Sequence, residues 1–555
     1  MKAAFLLICL LPLTALKATG NFSLIEVNPQ HGVEQNVYSD SSKHVYGGGE
    51  FNNMTEYNGK LYFVAQDTYG NDELWTSDGT QQGTAMVKDI NPSGSAQIGN
   101  IVIVQGKMVF MATENGTDFD LYSSDGTDAG TVKINETNQL GNDILSPDRA
   151  AVFGGKLLFC TSTALISTDG TANGTNTVLS IALYAASPAQ GYCELNGYAY
   201  FMLTDNLGNP ELWRTDGTAG GTMTSLEFST DSSHVGNVSK LFAFNGKLYL
   251  VGYAGGNGND LYSVEGTVSG HLKKIQLNPN PNLGSNPGYI NIVNDQLVFT
   301  AWQGNNTSLF KMSMTDTVPQ PVASVSGIGV SSGLSICNNS VYFMDAGSNI
   351  IHRVKMDDFT HQTIALHGYQ MPFYGLGDGS FLVGGNEKVF FAAYDSISGK
   401  QVLMESNGTT EGTKEVMPIG VTTSHPFNQI LSCGAIDGFD FKMWGNKLVM
   451  PANFNDAGRE LWIYDASTAA GIGFVEHRNN ISVYPNPVNA TLNFKTANGY
   501  CETAIITDLN GRVLQKDVVA GEAGSIDVSK LPVGNYCVTL SGAGNAATKR
   551  FTVTR

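Results

Sequence analysis

A short strand-like segment recurs nine times along the chain, and this repeat limits the fold more than any other feature. Its clearest copies read GKLYFVA at residues 59–65, GKMVFMA at 106–112 and GKLYLVG at 246–252. The nine copies begin at Gly59, Gly106, Gly155, Gly197, Gly246, Asp295, Asn339, Glu387 and Asn446. Neighbouring copies therefore start 42 to 59 residues apart. A period of this size is typical of propellers and solenoids.

Each clear copy is followed by a second motif, which reads ELWTSDGTQQGT at residues 73–84. Asp78 can accept a hydrogen bond from its own loop, Gly79 supplies the positive φ of a tight reversal, and the Thr80 hydroxyl can bond loop amides. We therefore predict a hairpin turn between two strands. The predicted turn and packing residues are Trp75, Asp78, Gly79, Thr80, Asp125, Gly126, Asp169, Gly170, Trp213, Asp216 and Gly217.

Each repeat unit has room for about four short strands, which is the content of one propeller blade. Gly occupies 64 of the 555 positions, and charged residues make up 14%, against a usual share of about 25%. This composition favours short strands and tight turns over helices. The sequence predicts an all-β fold with a large β-propeller of nine counted units. Eight blades with one irregular unit, and an open solenoid, are the alternatives.

The two ends of the repeat array complement each other. The ninth unit stops at residues 460–465, ELWIYD, without a following strand. Residues 22–29, FSLIEVNP, are similar to the last strand of other units, such as AMVKDINP at 85–92. We expect the N-terminal strand to complete the last blade, because this pairing closes the ring and covers its edges.

The chain is acidic and begins with an apolar leader. It has 31 Lys and Arg against 49 Asp and Glu, so its net charge is 31 − 49 = −18. An acidic surface repels phosphate backbones and anionic lipids, so we expect no nucleic-acid partner. Residues 1–20 place Lys2 before a short apolar run, which predicts a secretory signal peptide. No apolar stretch is long enough for a membrane span.

The motif at residues 73–84 and its copy at 211–222 resemble the ELWxxDGT repeat of exported bacterial proteins. On this resemblance, residues 21–466 are an ELWxxDGT-repeat β-propeller. The resemblance implies a surface or secreted repeat protein and carries no general activity.

The motifs of the sequence change after residue 466. Residues 467–480 predict a linker, and residues 481–555 contain alternating strands separated by Pro-Asn-Pro, Asn-Gly and Pro-Val-Gly turns. This pattern predicts a small Ig-like β-sandwich. Its motif residues are Pro485, Asn486, Pro487, Asn510, Gly511, Leu531, Pro532, Gly534 and Tyr536.

These motifs closely resemble the type A C-terminal sorting domain of the type IX secretion system of Gram-negative bacteria. The resemblance implies engagement with the type IX secretion machinery, passage through the periplasm and across the outer membrane, and an extracellular or cell-surface location. It also implies removal of the domain and attachment of the rest to surface lipopolysaccharide. Cys501 and Cys537 are outside this pattern, and the sequence leaves open whether they form a disulfide or stay free thiols.

The sequence contains no motif of a zinc protease, a serine hydrolase or a phosphate-binding loop. His361 and His367 lie six residues apart without a third ligand, so we expect no metal there. Asp67 and Asp72 cluster before a strand, which leaves calcium open, although the twelve-residue calcium loop is absent. We therefore predict no cofactor, no metal residue and no catalytic residue.

Two functional classes remain. The favoured one is a non-enzymatic, monomeric scaffold that is secreted or attached to the cell surface and binds an unidentified protein or glycan through its loops. The alternative is a secreted enzyme that acts on polysaccharide or another polymer, with carboxylates at the propeller mouth. Units six to eight, which include Trp302, His352 and His361, depart most from the repeat and would be the place to search.

Overall fold

The computed structural model describes residues 22–25, 27, 35–38, 54–466 and 481–555, with shorter gaps inside the last two ranges. The gaps are residues 68, 140–144, 146–149, 162, 181–190, 205–209, 228–235, 254–257, 266–270, 305, 326–329, 331–332, 345–349, 367, 372–381, 386, 419–420, 422–425, 428–440, 455–457, 497–500, 508–512, 522 and 543–544. The predicted signal peptide and linker therefore lie outside the described residues. The chain divides into two compact units, Met1–Asp465, here called the ring unit, and Ala466–Arg555, the C-terminal unit.

The described ring unit consists of β-strands and short 3₁₀ turns such as Ala323–Val325, which confirms the all-β prediction. Two described strands precede the first repeat, β1 (Phe22–Ile25) and β2 (Gln35–Tyr38). Nine groups of strands, here called blades 1 to 9, follow in chain order among the described residues. Blades 2 to 8 are separate antiparallel sheets, and β2 joins blades 9 and 1 into one nine-stranded sheet.

Blades 1 to 3 contain β3 (Thr55–Tyr57), β4 (Lys60–Gln66), β5 (Asp72–Ser77) and β6 (Ala85–Lys88); β7 (Val102–Val104), β8 (Lys107–Thr113), β9 (Phe119–Ser124) and β10 (Val132–Gln139); β11 (Ala150–Phe153), β12 (Lys156–Cys160), β13 (Ala164–Thr168) and β14 (Asn176–Ser180). Blades 4 to 6 contain β15 (Tyr192–Leu195), β16 (Tyr198–Thr204), β17 (Pro210–Thr215) and β18 (Met223–Glu227); β19 (Gly236–Phe244), β20 (Lys247–Tyr253), β21 (Asn259–Glu265) and β22 (His271–Ile275); β23 (Gly288–Val293), β24 (Gln296–Gln303), β25 (Asn306–Ser313) and β26 (Gln320–Pro321). Blades 7 to 9 contain β27 (Ser335–Cys337), β28 (Ser340–Met344), β29 (Ile350–Lys355) and β30 (His361–Ala365); β31 (Tyr369–Gln370), β32 (Val383–Gly385), β33 (Lys388–Asp395), β34 (Gln401–Ser406) and β35 (Thr413–Glu415); β36 (Lys442–Trp444), β37 (Lys447–Ala452) and β38 (Gly458–Asp465).

The N-terminal strand β1 supplies the fourth strand of blade 9. It runs antiparallel to β38, with Phe22 opposite Tyr464 and Ile25 opposite Leu461. Strand β2 then joins blade 9 to blade 1, because its first residues pair with β38 and its last residues pair with β4. The described strands therefore form a nine-bladed propeller that its N-terminal strand closes, as the repeat predicts, and the eight-blade alternative is not adopted.

Apolar side chains on both faces of the blades pack against neighbouring blades. The central strands are continuous buried runs, including all six residues of β9, as expected for sheets that are covered on both faces. One apolar cluster joins blades 1 and 2 through Tyr62 and Phe110. Another joins blades 9 and 1 through Val449, Phe63 and Ile25. Side-chain packing therefore continues across the point where the ring closes.

A buried glutamate carboxyl group at the start of the third strand holds the segment that follows the fourth strand. In blade 1, Glu73 accepts hydrogen bonds from the backbone N–H groups of Ile90 (2.7 Å) and Asn91 (3.3 Å). In blade 9, Glu460 accepts a bond of 3.0 Å from the N–H of Val27, which is 433 residues away in sequence. Ile90 and Val27 occupy the same place in the aligned AMVKDINP and FSLIEVNP segments. The hydrogen bond that holds the last segment of blade 1 therefore has an equivalent between the N-terminal segment and blade 9.

Burial raises the pKa of Glu73 to about 8, although the N–H groups of Ile90 and Asn91 act in the opposite direction. The carboxyl group of Glu73 therefore binds its proton more tightly in the folded protein than in the unfolded chain. The raised pKa of Glu73 therefore adds to the free energy of unfolding. This contribution is complete below the ordinary glutamate pKa of 4.5 and is lost as the pH rises through about 8.

The described residues of the C-terminal unit form two sheets. One contains β39 (Ile481–Tyr484), β40 (Thr491–Thr496) and β43 (Ala523–Asp527), and the other contains β41 (Cys501–Thr507), β42 (Val513–Gly521), β44 (Gly534–Gly542) and β45 (Asn545–Val553). Phe494 of the first sheet and Ile506, Val538 and Phe551 of the second belong to one buried core. The Ig-like connection of these strands stays a prediction.

The disulfide considered between Cys501 and Cys537 does not fit the register of these strands. Cys537 lies opposite Thr507, and Cys501 is six residues further along the same strand. Since a strand rises about 3.3 Å per residue, the two cysteines are about 20 Å apart, and a disulfide requires Cα atoms within about 7 Å.

Glu460→Ala should weaken the closure of the ring. It removes the acceptor of the Val27 N–H, and a buried amide without a partner costs about 1–3 kcal/mol. We expect urea denaturation to show a loss of that size, together with faster proteolysis near the N-terminus. Glu73→Ala is the matched control, because it removes the equivalent bonds inside blade 1. Equal N-terminal cleavage of the two variants would contradict a closing role for Glu460.

Glu73→Gln should change the pH dependence of stability. The variant keeps a carbonyl acceptor but has no proton to lose, so it should gain stability relative to the wild type as the pH rises from 5 to 8. The gain is at most about 1.4 kcal/mol per pH unit. Denaturation at a series of pH values measures it, with the exposed carboxylate variant Glu56→Gln as control. A difference between Glu73→Gln and wild type that does not vary with pH would refute the raised pKa.

Candidate functional site

The Asp-Gly-Thr motif forms the same hydrogen-bonded turn between the third and fourth strands of five described blades. In blade 1, the backbone N–H and the hydroxyl of Thr80 both donate to Asp78 Oδ1, at 2.9 and 2.7 Å. The Thr80 hydroxyl accepts a bond from the N–H of Gly83, and the Thr84 hydroxyl donates to the Thr80 carbonyl. The other copies are centred on Asp125, Asp169, Asp216 and Asn407.

Sequence reasoning missed one participant, the hydroxyl residue before the aspartate. Ser77 Oγ accepts a bond of 3.0 Å from the N–H of Gly79 and bonds the Thr84 hydroxyl at 2.7 Å. The same two bonds recur at Ser124, Thr168, Thr215 and Ser406. The signal was present in the sequence as a Ser or Thr before each of these Asp-Gly or Asn-Gly pairs.

The two glycines of the turn are required for different physical reasons. The φ angles of Gly79, Gly126, Gly170 and Gly217 lie between 83° and 91°, a region that strains residues with a side chain. A Cβ on the second glycine of blade 1, Gly83, would lie 2.0 Å from Asp78 Oδ1. The aspartate carboxylate therefore packs directly on the second glycine, which explains the fixed spacing of the motif.

The turn aspartates accept hydrogen bonds from residues of their own loops. The hydrogen bond from the Thr80 hydroxyl, followed by that from its backbone N–H, lowers the pKa of Asp78. A threonine hydroxyl is likewise the first cause that lowers the pKa of Asp125, Asp169 and Asp216. Carboxylates held ionised in this way are poor general acids at neutral pH.

Four of the five tryptophans fall into two groups. Trp75, Trp213 and Trp462 share one position of the third strand and are buried. Trp75 belongs to the cluster between blades 9 and 1, and Trp462 contacts the edge of Phe454 at a centroid distance of 4.8 Å. By contrast, Trp302 lies near the end of β24 and is 44% exposed. The shared third-strand position therefore serves packing, and Trp302 is available to solvent.

Blade 7 contains a histidine pair that the sequence did not predict. The rings of His352 and His361 stack, and Nδ1 of His352 lies 2.9 Å from Nε2 of His361. Burial lowers the pKa of His361, and His352 lowers it further. His367 lies outside the described residues. In the described part of the chain, no three His, Cys, Asp or Glu side chains are placed to hold a metal ion.

The acidic loop considered for calcium makes contacts of its own. Asp67 Oδ1 accepts hydrogen bonds from the backbone N–H groups of Tyr69 (2.7 Å) and Asn71 (2.8 Å). The backbone N–H of Asp72 donates to Ser95 Oγ at 3.0 Å. These bonds order the loop through protein atoms.

The Pro-Asn-Pro segment of the C-terminal unit, Pro485, Asn486 and Pro487, lies beside the last strand. Asn486 Oδ1 accepts a bond of 2.8 Å from the N–H of Thr552. The following residue, Val488, donates its N–H to the Thr552 carbonyl and accepts a bond from the N–H of Thr554. The segment thus ties the start of the unit to its end.

The Leu-Pro-Val-Gly-Asn-Tyr segment forms a tyrosine-anchored corner. The Tyr536 hydroxyl donates to the carbonyl of Pro532 at 2.8 Å, Leu531 is buried, and Gly534 begins β44. The guanidinium of Arg555 donates to the carbonyl of Leu531 at 2.6 Å. The remaining motif residues, Asn510 and Gly511, lie outside the described residues. The described motif residues therefore organise the two ends of the unit.

Residues 482–554 match the family model described as a secretion system C-terminal sorting domain. The match points to export by the type IX secretion system, to interaction with its machinery, and to a secreted or cell-surface protein. Among the described residues, no helix has the length and apolar character needed to cross a membrane. No curated protein matches the chain.

Solved structures show distant likenesses. The nidogen/laminin complex is 13% identical, with 47% of this chain and 92% of that chain covered and a TM-score of 0.25. The tricorn protease is 13% identical, with 89% and 49% covered and a TM-score of 0.26. YCF48 bound to D1 peptide is 10% identical, with 56% and 89% covered and a TM-score of 0.30. Likenesses at this level carry no argument about function.

The neighbouring glycines Gly220 and Gly221 test the packing of the turn in blade 4. A Cβ on Gly221 would lie 2.0 Å from Asp216 Oδ1, whereas a Cβ on Gly220 meets nothing within 4 Å. Gly221→Ala should lower the free energy of unfolding by about 1–3 kcal/mol, because the carboxylate must leave its donors. Gly220→Ala should be neutral or stabilising by up to about 1 kcal/mol. Equal effects in denaturation would refute this reading of the motif.

Proposed function

We propose that this protein is a non-enzymatic scaffold that is secreted or displayed on the cell surface and binds a protein or a glycan. The observation that carries the proposal is the sorting-domain match at residues 482–554, because such a domain accompanies an exported passenger. The passenger is then the ring unit, and its surface is the part that meets other molecules.

Two features of the ring unit support a binding role. The repeated polar side chains, such as Asp78 and Thr80, are used inside their own turns. Among the described residues of the ring unit, the most exposed large apolar side chains are Tyr69 (87%) and Ile397 (94%), which lie in the hairpins between the second and third strands. Loops that a rigid scaffold positions commonly carry binding residues.

The more detailed parts of the proposal rest on the sequence motifs. The ring unit is placed with the ELWxxDGT-repeat surface proteins, and residues 1–20 direct the chain to the periplasm of a Gram-negative bacterium. The C-terminal unit is removed during or after outer-membrane passage, and the ring unit acts as a monomer, either in the medium or attached to surface lipopolysaccharide.

Deletion of residues 482–554 tests export in the bacterium that produces the protein. We expect the truncated chain to accumulate in the periplasm, while the full chain reaches the surface or the medium. Gly220→Ala in the full chain is the control for a change that leaves the C-terminal unit intact. Fractionation and immunoblotting measure the distribution. Unchanged surface levels after the deletion would contradict the proposed role of the C-terminal unit.

Arrays of glycans and proteins test the binding role. The purified full chain should bind at least one member of an array, with and without chelator, and should release no soluble product from polysaccharide or protein polymers. Product release that grows with time would favour the enzyme alternative and refute the scaffold.

A further inference from the structure

Two histidines bond the outer strand of blade 7 to the strand beside it. His352 lies on the third strand, β29, and His361 begins the fourth strand, β30. Nδ1 of His352 lies 2.9 Å from Nε2 of His361, so the two rings share a hydrogen bond. His352 is 4% exposed, and its ring stacks on Phe343 of β28 at a centroid distance of 5.1 Å. The bond therefore lies on a largely buried face of the blade.

The histidine bond stands where other blades have a bond between two hydroxyl groups. In blade 8, Ser406 lies opposite Thr413, and their hydroxyl oxygens are 2.7 Å apart. The equivalent pair in blade 7 is Val354 and His361. Because valine has no hydroxyl, the tie to the third strand is made instead by His352, two residues before Val354. Blade 7 therefore replaces a bond that does not titrate near neutral pH with one that does.

The bond requires that at least one of the two rings is neutral. A neutral imidazole offers one N–H donor and one acceptor nitrogen, whereas a protonated imidazole offers two donors. If both rings were protonated, two N–H groups would face each other across the 2.9 Å between the nitrogens. Two positive charges this close, and largely removed from water, repel each other. The pair therefore cannot keep its bond in the doubly protonated state.

The surroundings of the pair favour its neutral form. Burial lowers the pKa of His361, and the charge of the neighbouring His352 lowers it further. A histidine with a lowered pKa contributes stability that is present above its ordinary value of 6.5 and is lost as the pH falls below that value. Acid therefore acts against the contact between β29 and β30.

No carboxylate of the adjoining described elements is bonded to a histidine ring of the pair. The charged side chains on these elements are Lys311 of blade 6, Asp357 and Asp358 of the turn before β30, and Arg353 and Lys355 of β29. Asp357 accepts a bond of 2.6 Å from Asn339, and Asp358 accepts one of 2.9 Å from the N–H of Thr360. Arg353 and Lys355 alternate with His352 along the strand and lie on its opposite face. Lys311 Nζ lies 3.8 Å from the centre of the Phe359 ring.

The two ends of β30 are held by different contacts. β30 is the edge strand of blade 7, and His361 is its first residue. Near its other end, the Thr410 hydroxyl of blade 8 donates to the Thr363 carbonyl at 3.3 Å and accepts a bond of 3.0 Å from the N–H of Ala365. Loss of the histidine bond therefore frees the first residues of β30, while blade 8 still holds the last ones.

We propose that the hydrogen bond between His352 and His361 is an acid-sensitive switch on the outer strand of blade 7. Near neutral pH the bond holds the first residues of β30 against β29. Protonation of both rings breaks the bond, so this part of β30 separates from β29 and leaves a strand edge open. The inference goes beyond the proposed binding function, because it concerns a change in the structure of one blade and not a ligand.

Amide hydrogen exchange of the full chain at about pH 7.5 and about pH 5 tests the switch. The N–H groups of Gln362 and Ile364 point to β29, because that of Ala365 points to Thr410 and successive amides alternate. We expect the protection factors of Gln362 and Ile364 to fall at least about fivefold in acid. The amide of Val416, which is bonded to the third strand of blade 8 at 2.8 Å, should change by less than about twofold.

Two variants separate the histidine bond from other effects of acid. His361→Gln keeps a side chain that can donate and accept but does not titrate, so the protection of Gln362 should vary by less than about twofold with pH. Thr413→Val is the matched control, because it removes the hydroxyl bond of blade 8. It should lower the protection of Val416 by a similar factor at both pH values.

An equal loss of protection at Gln362 and at Val416 would overturn the switch, because it would mean that acid loosens the blades generally. A pH dependence that persists in His361→Gln would also overturn it. Should that variant fail to fold, NMR titration of the imidazoles in the wild-type chain decides. The two rings should take up their protons in two separate steps. Independent titration of both rings at the ordinary histidine value would refute the proposal.

Discussion

The ring depends on one kind of hydrogen bond, in which a buried glutamate carboxyl group at the start of a third strand accepts the backbone N–H that follows a fourth strand. Glu73 makes this bond within blade 1, and Glu460 makes it to Val27 across 433 residues. A propeller is stable only when its first and last blades are joined, because an open blade would expose a strand edge and an apolar face. The same kind of hydrogen bond therefore holds the last segment of blade 1 and, in blade 9, joins the two ends of the ring.

The turns explain how one short motif can specify many blades. Asp78 accepts bonds from Thr80, Ser77 bonds Thr84, and Gly83 leaves space for the carboxylate. Every one of these contacts lies within eight consecutive residues, so each turn can form from its own sequence. The long-range packing is left to the buried strands, which need only be apolar and of similar length.

The sequence predicts the parts of this structure that depend on local pattern. Turn geometry and the completing strand follow from a motif that recurs every 42 to 59 residues, whereas the choice between nine blades and eight came from the structure. The His352–His361 pair was missed because cross-strand register brings the rings together, whereas His367 was considered only for its closeness in sequence. The role of Glu460 was missed for the same reason, since its partner is set by ring closure.

Amide hydrogen exchange at the N-terminus tests the closed ring most directly. If β1 is the fourth strand of blade 9, the alternate amides of residues 22–25 that pair with β38, and the amide of Val27, should be protected to a degree similar to those of residues 461–464 on β38. Exchange of residues 22–27 at the rate of an unstructured peptide, with β38 still protected, would contradict the account.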